Sequence, residues 1–269
     1  MCKHRKLTLL MLLLLLAVEI NAQRTASQYN SFFGSVRINK TNNTIVLKLW
    51  NSDEYKNHEA PFQYLEESKI PFIIMDGKRF LFLHSLYFID IWVSDDELLF
   101  DGISASPRAE DFWYYAKTIT ASSFLTEGIV EYIPDNLQNA IPNTPWVEGV
   151  PGSGIDERIT LEWDIDQNNP ITALSFFNGF ISYSKPNLYD RNNRVKTVSI
   201  LIDDQFIMDA VAIEDTPNPQ IIILSHPVYH KIDIIIEAVY PGTQWDDTCI
   251  EAIHGLGVYL VNALGTIIK

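Results

Sequence analysis

The sequence predicts an all-β protein, and three observations carry that prediction. Ile159, Leu161, Trp163 and Ile165 alternate with Arg158, Thr160, Glu162 and Asp164, which is the period-two signature of a half-buried strand. Asp76-Gly77 stands between the apolar runs Pro71–Met75 and Arg79–Leu83. An Asp-Gly pair in that setting marks a hairpin, because both central residues of its tight turn need positive φ. From residue 119 to residue 262, apolar runs recur between turn clusters and no stretch carries helical periodicity, the pattern of a sandwich.

The chain of 269 residues opens with Lys3, Arg5 and Lys6, an apolar run from Leu7 to Val18, and Ile20-Asn21-Ala22 before Gln23. This is the layout of a secretory signal peptide. The apolar run is shorter than the roughly 20 residues a membrane span needs. Residues 1–22 are therefore expected to be removed on export, to the periplasm or beyond, leaving a mature chain with no transmembrane segment. Cys2 would leave with them, so Cys249 stands alone and the fold must rest on its core rather than on a disulfide. Loss of Lys3, Arg5, Lys6 and Glu19 would leave 17 basic against 33 acidic residues, a net charge of −16. Such a field makes nucleic acid and anionic membrane surfaces poor partners, and no nucleic acid is expected.

Residues 23–117 read as a small β-rich domain of about five short strands, a small barrel or half-barrel. Its expected strands are Thr44–Trp50, the hairpin strands Pro71–Met75 and Arg79–Leu83, Tyr87–Val93 and Leu98–Phe100, while the polar stretch Asn51–Glu67 reads as a loop. Residues 104–117 look like a junction. Beyond it, strands are expected at Thr172–Phe177, Val195–Ile202, Gln205–Ile213, Gln220–Leu224, Ile232–Val239 and Ile250–Val261. Ile232, Ile234 and Ile236 share one face of their strand, opposite Asp233 and Glu237.

The candidate functional residues lie in loops. Pro145 to Arg158 packs Gly149, Gly152 and Gly154 into a short loop with Trp146 at its entrance and Glu148 beside it. Trp146 has two open roles, a core plug or an aromatic platform on which the apolar face of a sugar ring could stack. Tyr183 and Tyr189, with Asn192, Asn193 and Arg194, form a polar and aromatic rim, although Arg194 equally suits an ion pair with a carboxylate. Trp245-Asp246-Asp247-Thr248 offers an indole and several oxygens. Ca²⁺ takes six to eight oxygens, whereas turn formation explains the same residues without a metal. His226 and His230 have the spacing of a helical metal pair, but Pro227 lies between them, and no metal is assigned. Gly152-Ser153-Gly154 is no nucleophile elbow, because Pro151 replaces the outer glycine. It completes no dinucleotide fingerprint either, since Glu157 stands where a glycine is needed. No enzyme and no cofactor are expected.

Residues 118–262 resemble the NADase-type glycan-binding domain, a bacterial relative of discoidin domains. The resemblance is carried by Ala121-Ser122-Ser123-Phe124-Leu125, Tyr132-Ile133-Pro134-Asp135-Asn136-Leu137, Pro145-Trp146-Val147-Glu148-Gly149 with Gly152, Gly154-Ile155 and Glu157, and Asn178-Gly179-Phe180. It continues through Tyr189, Asn192-Asn193-Arg194-Val195-Lys196, Tyr240-Pro241-Gly242 and Asp246-Asp247-Thr248-Cys249-Ile250. It implies a jelly-roll β-sandwich of the galactose-binding-like type with no catalysis of its own. The chain departs from the pattern at Asp156, where relatives carry glycine, and at Glu251-Ala252, where they carry Ser then Glu. The expected function is an exported protein that binds a glycan or glycoconjugate through Trp146, Glu148, Tyr183, Tyr189, Asn193, Arg194, Trp245 and Asp246. The alternative is a structural or protein-interaction module of the cell envelope.

Overall fold

The computed structural model describes residues 26–31, 34–39, 41–51, 54–64, 69–84, 88–94, 97–104, 113–138, 143–166 and 168–257. The expected signal peptide and the last four residues of the expected strand Ile250–Val261 lie outside the described residues.

The N-terminal half builds an antiparallel sheet. Its strands are β1 (Ala26–Ser31), β2 (Gly34–Asn39), β3 (Thr44–Asn51), β4 (Glu54–Pro61), β5 (Gln63–Tyr64), β6 (Pro71–Met75), β7 (Lys78–His84), β8 (Phe88–Ser94) and β9 (Glu97–Ser104). They pair in the order β4-β3-β2-β1-β9-β8-β7-β6-β5. The β6–β7 hairpin turns at Asp76 (φ 50°) and Gly77 (φ 74°), the left-handed pair that Asp-Gly predicts. Val36, Ile38, Ile45 and Leu47 meet Ile73, Met75, Phe80 and Phe82 in one cluster, so the sheet curls around a core of its own.

The stretch Asn51–Glu67, expected as a loop, instead supplies β4 and β5. β4 is an edge strand whose Lys56, Asn57 and Glu59 face water, and only Ala60 of its described side chains is buried. An edge strand draws its order from ladder hydrogen bonds to a neighbour, which a hydrophobic pattern does not report.

The C-terminal half is a jelly-roll sandwich. Its strands are β10 (Trp113–Tyr114), β11 (Thr118–Ala121), β12 (Thr126–Glu127), β13 (Val130–Glu131), β14 (Trp146–Val147), β15 (Arg158–Glu162), β16 (Ile171–Asn178), β17 (Asn193–Ile202), β18 (Phe206–Ala212), β19 (Gln220–Val228), β20 (Lys231–Tyr240) and β21 (Thr248–Gly257). One layer runs β11-β15-β20-β17-β18. The other is β16 between β21 and β19, with β10 and β14 also on β21. Ile159, Leu161, Ile232, Ile234 and Ile236 from the first layer pack against Leu174, Phe176, Ile250 and Ile253 from the second. The layers join by hydrogen bonds where β17 and β21 run parallel, Asn193 opposite Thr248 and Arg194 opposite Cys249. A single-turn helix, α1 (Leu188–Arg191), leads into that junction.

Every residue of β16 and β21 is buried. Leu174 and Phe176 face the sandwich core, whereas Ala173 and Phe177 of β16, with Ala252 and Leu256 of β21, face Ile70, Leu81 and Leu83 of the N-terminal sheet. β7 is likewise covered on both sides, with Phe80 and Phe82 inward and Leu81 and Leu83 on the sandwich. Two polar links flank this apolar contact. The Tyr183 hydroxyl donates to the Arg79 carbonyl at 2.5 Å, with the Arg79 guanidinium 5.3 Å from the tyrosine ring. Lys69 pairs with the Asp215 carboxylate, which also takes both Arg194 Nε at 3.2 Å and Arg194 Nη2 at 3.1 Å.

Asp215 and Lys69 should therefore differ sharply in their effect on stability. Asp215→Ala leaves the buried Arg194 guanidinium without its carboxylate partner and should cost about 3 kcal/mol in urea unfolding. Lys69→Ala removes a half-exposed cation and should cost under about 1 kcal/mol. Equal losses would mean that Arg194 is not held by this pair.

Candidate functional site

The loop from Pro145 to Arg158 is a scaffold built of side chains that bond backbone. The Trp146 indole is fully buried in the sandwich core, and its Nε1–H donates to the Ser123 carbonyl at 3.0 Å. Glu157 accepts the Ser122 hydroxyl at 2.7 Å and the Ser123 hydroxyl at 2.5 Å, and Ser123 Oγ in turn accepts Gly149 N–H at 2.8 Å. Thr248 Oγ1 donates to the Ser153 carbonyl at 2.7 Å. Glu148 is fully buried, and its Oε2 accepts Val150 N–H at 2.7 Å. Burial pushes the Glu148 carboxyl up to about 7, against the lowering pull of backbone N–H groups at Val150 and Thr248. Gly154 closes over it: φ is +62°, and a β-carbon there would sit 2.6 Å from Glu148 Cγ. Asp156, where relatives of the resembled domain carry glycine, holds φ 71° and so keeps the left-handed backbone with a less suited residue.

The start of β17 is pinned in the same way. Asn178 Nδ2 donates to the Val195 carbonyl at 2.7 Å and its Oδ1 accepts Val195 N–H at 2.9 Å, so one buried amide pairs with β17 as a peptide group would. Asn193 Nδ2 donates to Asp246 O at 2.5 Å and its Oδ1 accepts Gly242 N–H at 2.6 Å. Arg194 Nη1 reaches the carbonyls of Asn192 at 2.9 Å and Pro241 at 3.1 Å. Tyr189 lies under Arg194, its hydroxyl donating to Asp215 Oδ1 at 3.2 Å, and burial raises its pKa.

Above this scaffold opens a cleft of about 360 Å³. Val147, Phe180 and Cys249 form an apolar cluster beneath it, with Leu125, Tyr132 and Leu188 packed alongside. Asn143, Lys185, Asn192, Asp247 and Trp245 bring polar and aromatic groups to its walls. Trp245 is 36% exposed, with the Arg191 guanidinium 6.0 Å from its ring. Its position is fixed by backbone: Trp245 N–H and Gln244 N–H both donate to the Arg191 carbonyl, at 2.9 and 3.1 Å. Burial, then the neighbouring Asp246 charge, raises the pKa of Asp247. A partly exposed indole beside a carboxylate and two amides can stack on a ring and take hydroxyl groups at its edge.

The expected rim is therefore corrected. Trp146, Glu148, Tyr189, Asn193 and Arg194 are all buried and committed to internal partners, so they shape the cleft without lining it. Tyr183 sits at the contact between the two halves. Trp245 lines the cleft, and Asp246 is exposed next to it. Three lining residues stand one step from residues expected to touch ligand: Val147 beside Trp146, Asn192, already placed in the rim, beside Asn193, and Asp247 beside Asp246. In extended chain a one-residue step reverses the face. Glu251, which departs from the resembled pattern, is buried and accepts Ile181 N–H at 2.8 Å and Thr144 N–H at 3.3 Å, so it braces two loops. The Thr248 hydroxyl, counted among possible Ca²⁺ oxygens, is spent on Ser153. Among the described residues no three His, Cys, Asp or Glu side chains converge as a metal site.

Residues 113–255 match the family model described as the NAD glycohydrolase translocation F5/8 type C domain. No curated protein matches. Solved structures that resemble the chain include the CBM32 of AlyQ in complex with 4,5-unsaturated mannuronic acid, 14% identical, covering 54% of this chain and 98% of that one with a TM-score of 0.37. The family 32 CBM from C. perfringens NanJ in complex with galactose is 14% identical, covering 51% and 91% with a TM-score of 0.35. A glycoside hydrolase, 7% identical, covers 83% of this chain and 67% of its own with a TM-score of 0.38.

Two outcomes follow from the scaffold. Trp146→Ala should cost about 3–5 kcal/mol in chemical denaturation, as for other large core truncations. Glu148 has a folded pKa near 7 against 4.5 in the unfolded chain, so its contribution is fully present below about 4.5 and is lost as pH rises through 7. The stability difference between wild type and Glu148→Gln should move by about 2 kcal/mol over that window, measured as urea midpoints at each pH. A difference that stays flat would place the carboxyl in water.

Proposed function

Because the chain belongs, over residues 113–255, to the NAD glycohydrolase translocation F5/8 type C domain family, we propose that it is an exported, non-catalytic protein that holds a glycan or glycoconjugate in the cleft beside Trp245. The observation that carries this reading is the indole held half-open at the mouth, on a backbone strapped to α1, while Trp146, Tyr189 and Arg194 are committed to the interior. A pyranose presents an apolar C–H face to such a ring. Asp247 and Asn192 then stand at its edge to pair with vicinal hydroxyls, and Lys185 supplies a cation at the rim. The non-catalytic part of the reading follows the family, which is named for a translocation domain rather than for the hydrolase. The exported part rests on the pattern of residues 1–22, and N-terminal sequencing of secreted material should begin at Gln23.

A second reading, docking of an envelope protein, has one feature in its favour. Ile129 is wholly exposed at the tip of the β12–β13 hairpin, next to Val130 on the cleft wall. An exposed apolar tip suits a protein partner. Pull-down from envelope extract with and without excess competing sugar separates the two.

A glycan array probed with the full mature chain should give binding above background. Trp245→Ala should weaken the best hit at least about tenfold, or roughly 1.4 kcal/mol, with little change in melting temperature. Unchanged affinity in that variant overturns the cleft as the site, and hydrolysis of NAD or a nitrophenyl glycoside by the purified chain overturns the non-catalytic reading.

A further inference from the structure

The opposite end of the sandwich carries a second, larger concavity. It holds about 880 Å³ and lies among the end of β15, the β17–β18 turn and the β19–β20 turn. Its frame is pre-formed. Asp203 accepts three backbone N–H groups from the neighbouring turn, Tyr229 at 3.1 Å, His230 at 3.0 Å and Lys231 at 2.7 Å, which locks the two turns together. Asp203 and Asp204 hold φ of 47° and 57° in a tight left-handed turn, and Lys231 pairs with Asp204 at 2.7 Å.

On this frame Phe206 and His226 are stacked face to face, 3.7 Å between ring centroids and 9° from parallel. Both rings line the groove and both are exposed, Phe206 by 39%. The Trp163 indole, buried and donating to the Tyr114 carbonyl at 3.3 Å, also borders the groove. The Gln205 amide, the Tyr229 hydroxyl, the His230 imidazole and the Glu162 carboxylate belong to residues that line the same groove. None of these four side chains has a hydrogen-bond partner among the described residues, although each is set on a rigid turn or strand end. An exposed aromatic stack in a groove that also carries unspent donors and acceptors is matched by a ligand with one apolar face and hydroxyls at its perimeter.

We propose that this groove is a second saccharide site, independent of the cleft beside Trp245, and that it takes a neutral pyranose. The sugar's C–H face lies on the Phe206–His226 stack, and its hydroxyls reach Gln205, Tyr229, His230 and Glu162. The charge of the groove selects for neutrality. Glu162, Asp164, Asp203 and Asp204 outnumber Lys117 and Lys231, and both lysines are engaged with carboxylates, at 3.6 Å to Asp164 and 2.7 Å to Asp204. A uronate or a sugar phosphate would meet a surplus of negative charge. Two sites at opposite ends of one sandwich would let a single chain bridge two glycan strands, with the avidity that linkage brings.

The two sites can be read separately, because Trp163 borders one and Trp245 the other. The full mature chain is labelled with fluorotryptophan, its six indoles assigned by Trp→Phe variants, and titrated by ¹⁹F NMR with methyl β-galactopyranoside and with N-acetylglucosamine, each to about 10 mM. At least one probe should shift the Trp163 resonance saturably. Phe206→Ala should weaken that shift at least tenfold while leaving any Trp245 titration unchanged. Tyr229→Phe, which removes one hydroxyl and no packing surface, should weaken it several-fold. A Trp163 resonance that neither probe moves overturns the proposal, as does a shift that survives both variants. A Trp163 response without a Trp245 response would sink the function proposed for the loop-end cleft and leave this site standing.

Discussion

The loop end of the sandwich depends on side-chain amides doing the work of backbone. In a two-layer sandwich the layers are ordinarily held only by apolar packing, because each strand spends its hydrogen bonds within its own sheet. Here Asn178, at the end of β16, both donates to and accepts from Val195 in β17. That amide fixes the point at which β17 crosses to run parallel with β21. Leaving either partner unmet in the interior would cost about 1–3 kcal/mol. Asn193 repeats the device one position before Arg194 by holding Asp246 and Gly242, and so sets the loop that carries Trp245.

Two acids next to this junction, Asp215 half-buried and Glu148 fully buried, show opposite solutions to the same electrostatic problem. Burial raises Asp215, but hydrogen bonds and charge from Arg194 and Lys69 outweigh it, and its carboxyl lies below the usual range. Among the described residues no cation acts on Glu148, and burial drives it up to about 7. The first acid is a permanent ion that ties the N-terminal sheet to the start of β17. The second carries most of its weight as a neutral group, under the lid made by Gly154.

Much of the architecture was legible in the sequence wherever a strand has one wet face. The alternation from Arg158 to Ile165 placed Ile159, Leu161 and Trp163 inward, and all three are buried. Ile232, Ile234 and Ile236 are likewise buried together. The Asp76-Gly77 turn is a hairpin of the expected kind. Legibility failed at two extremes of burial. β4 shows too little apolar pattern, because it is an edge. The unbroken burial of β16 and β21 signals cover on both faces, a cue to a second packed layer that the expected list of strands did not use. At the site, Trp146, Tyr189, Asn193 and Arg194 stood out in the sequence, but they are large or multiply bonding groups that suit the interior, and all four are buried. Nothing in a linear string distinguishes a residue that shapes a cleft from its neighbour that lines it, since the two differ only by the face they take.

The apolar ground shared by Leu81, Leu83, Phe177 and Leu256 means that the jelly roll relies on its neighbour to cover one flank. Cut free of its N-terminal companion, it would present a greasy flank made of Ala173, Phe177, Ala252 and Leu256, and would aggregate or recruit a surrogate cover. A relative that carries the sandwich without this escort must place hydrophilic residues at those four positions. The character of that flank thus tells, for any member of the family, whether its jelly roll lives alone or travels in company.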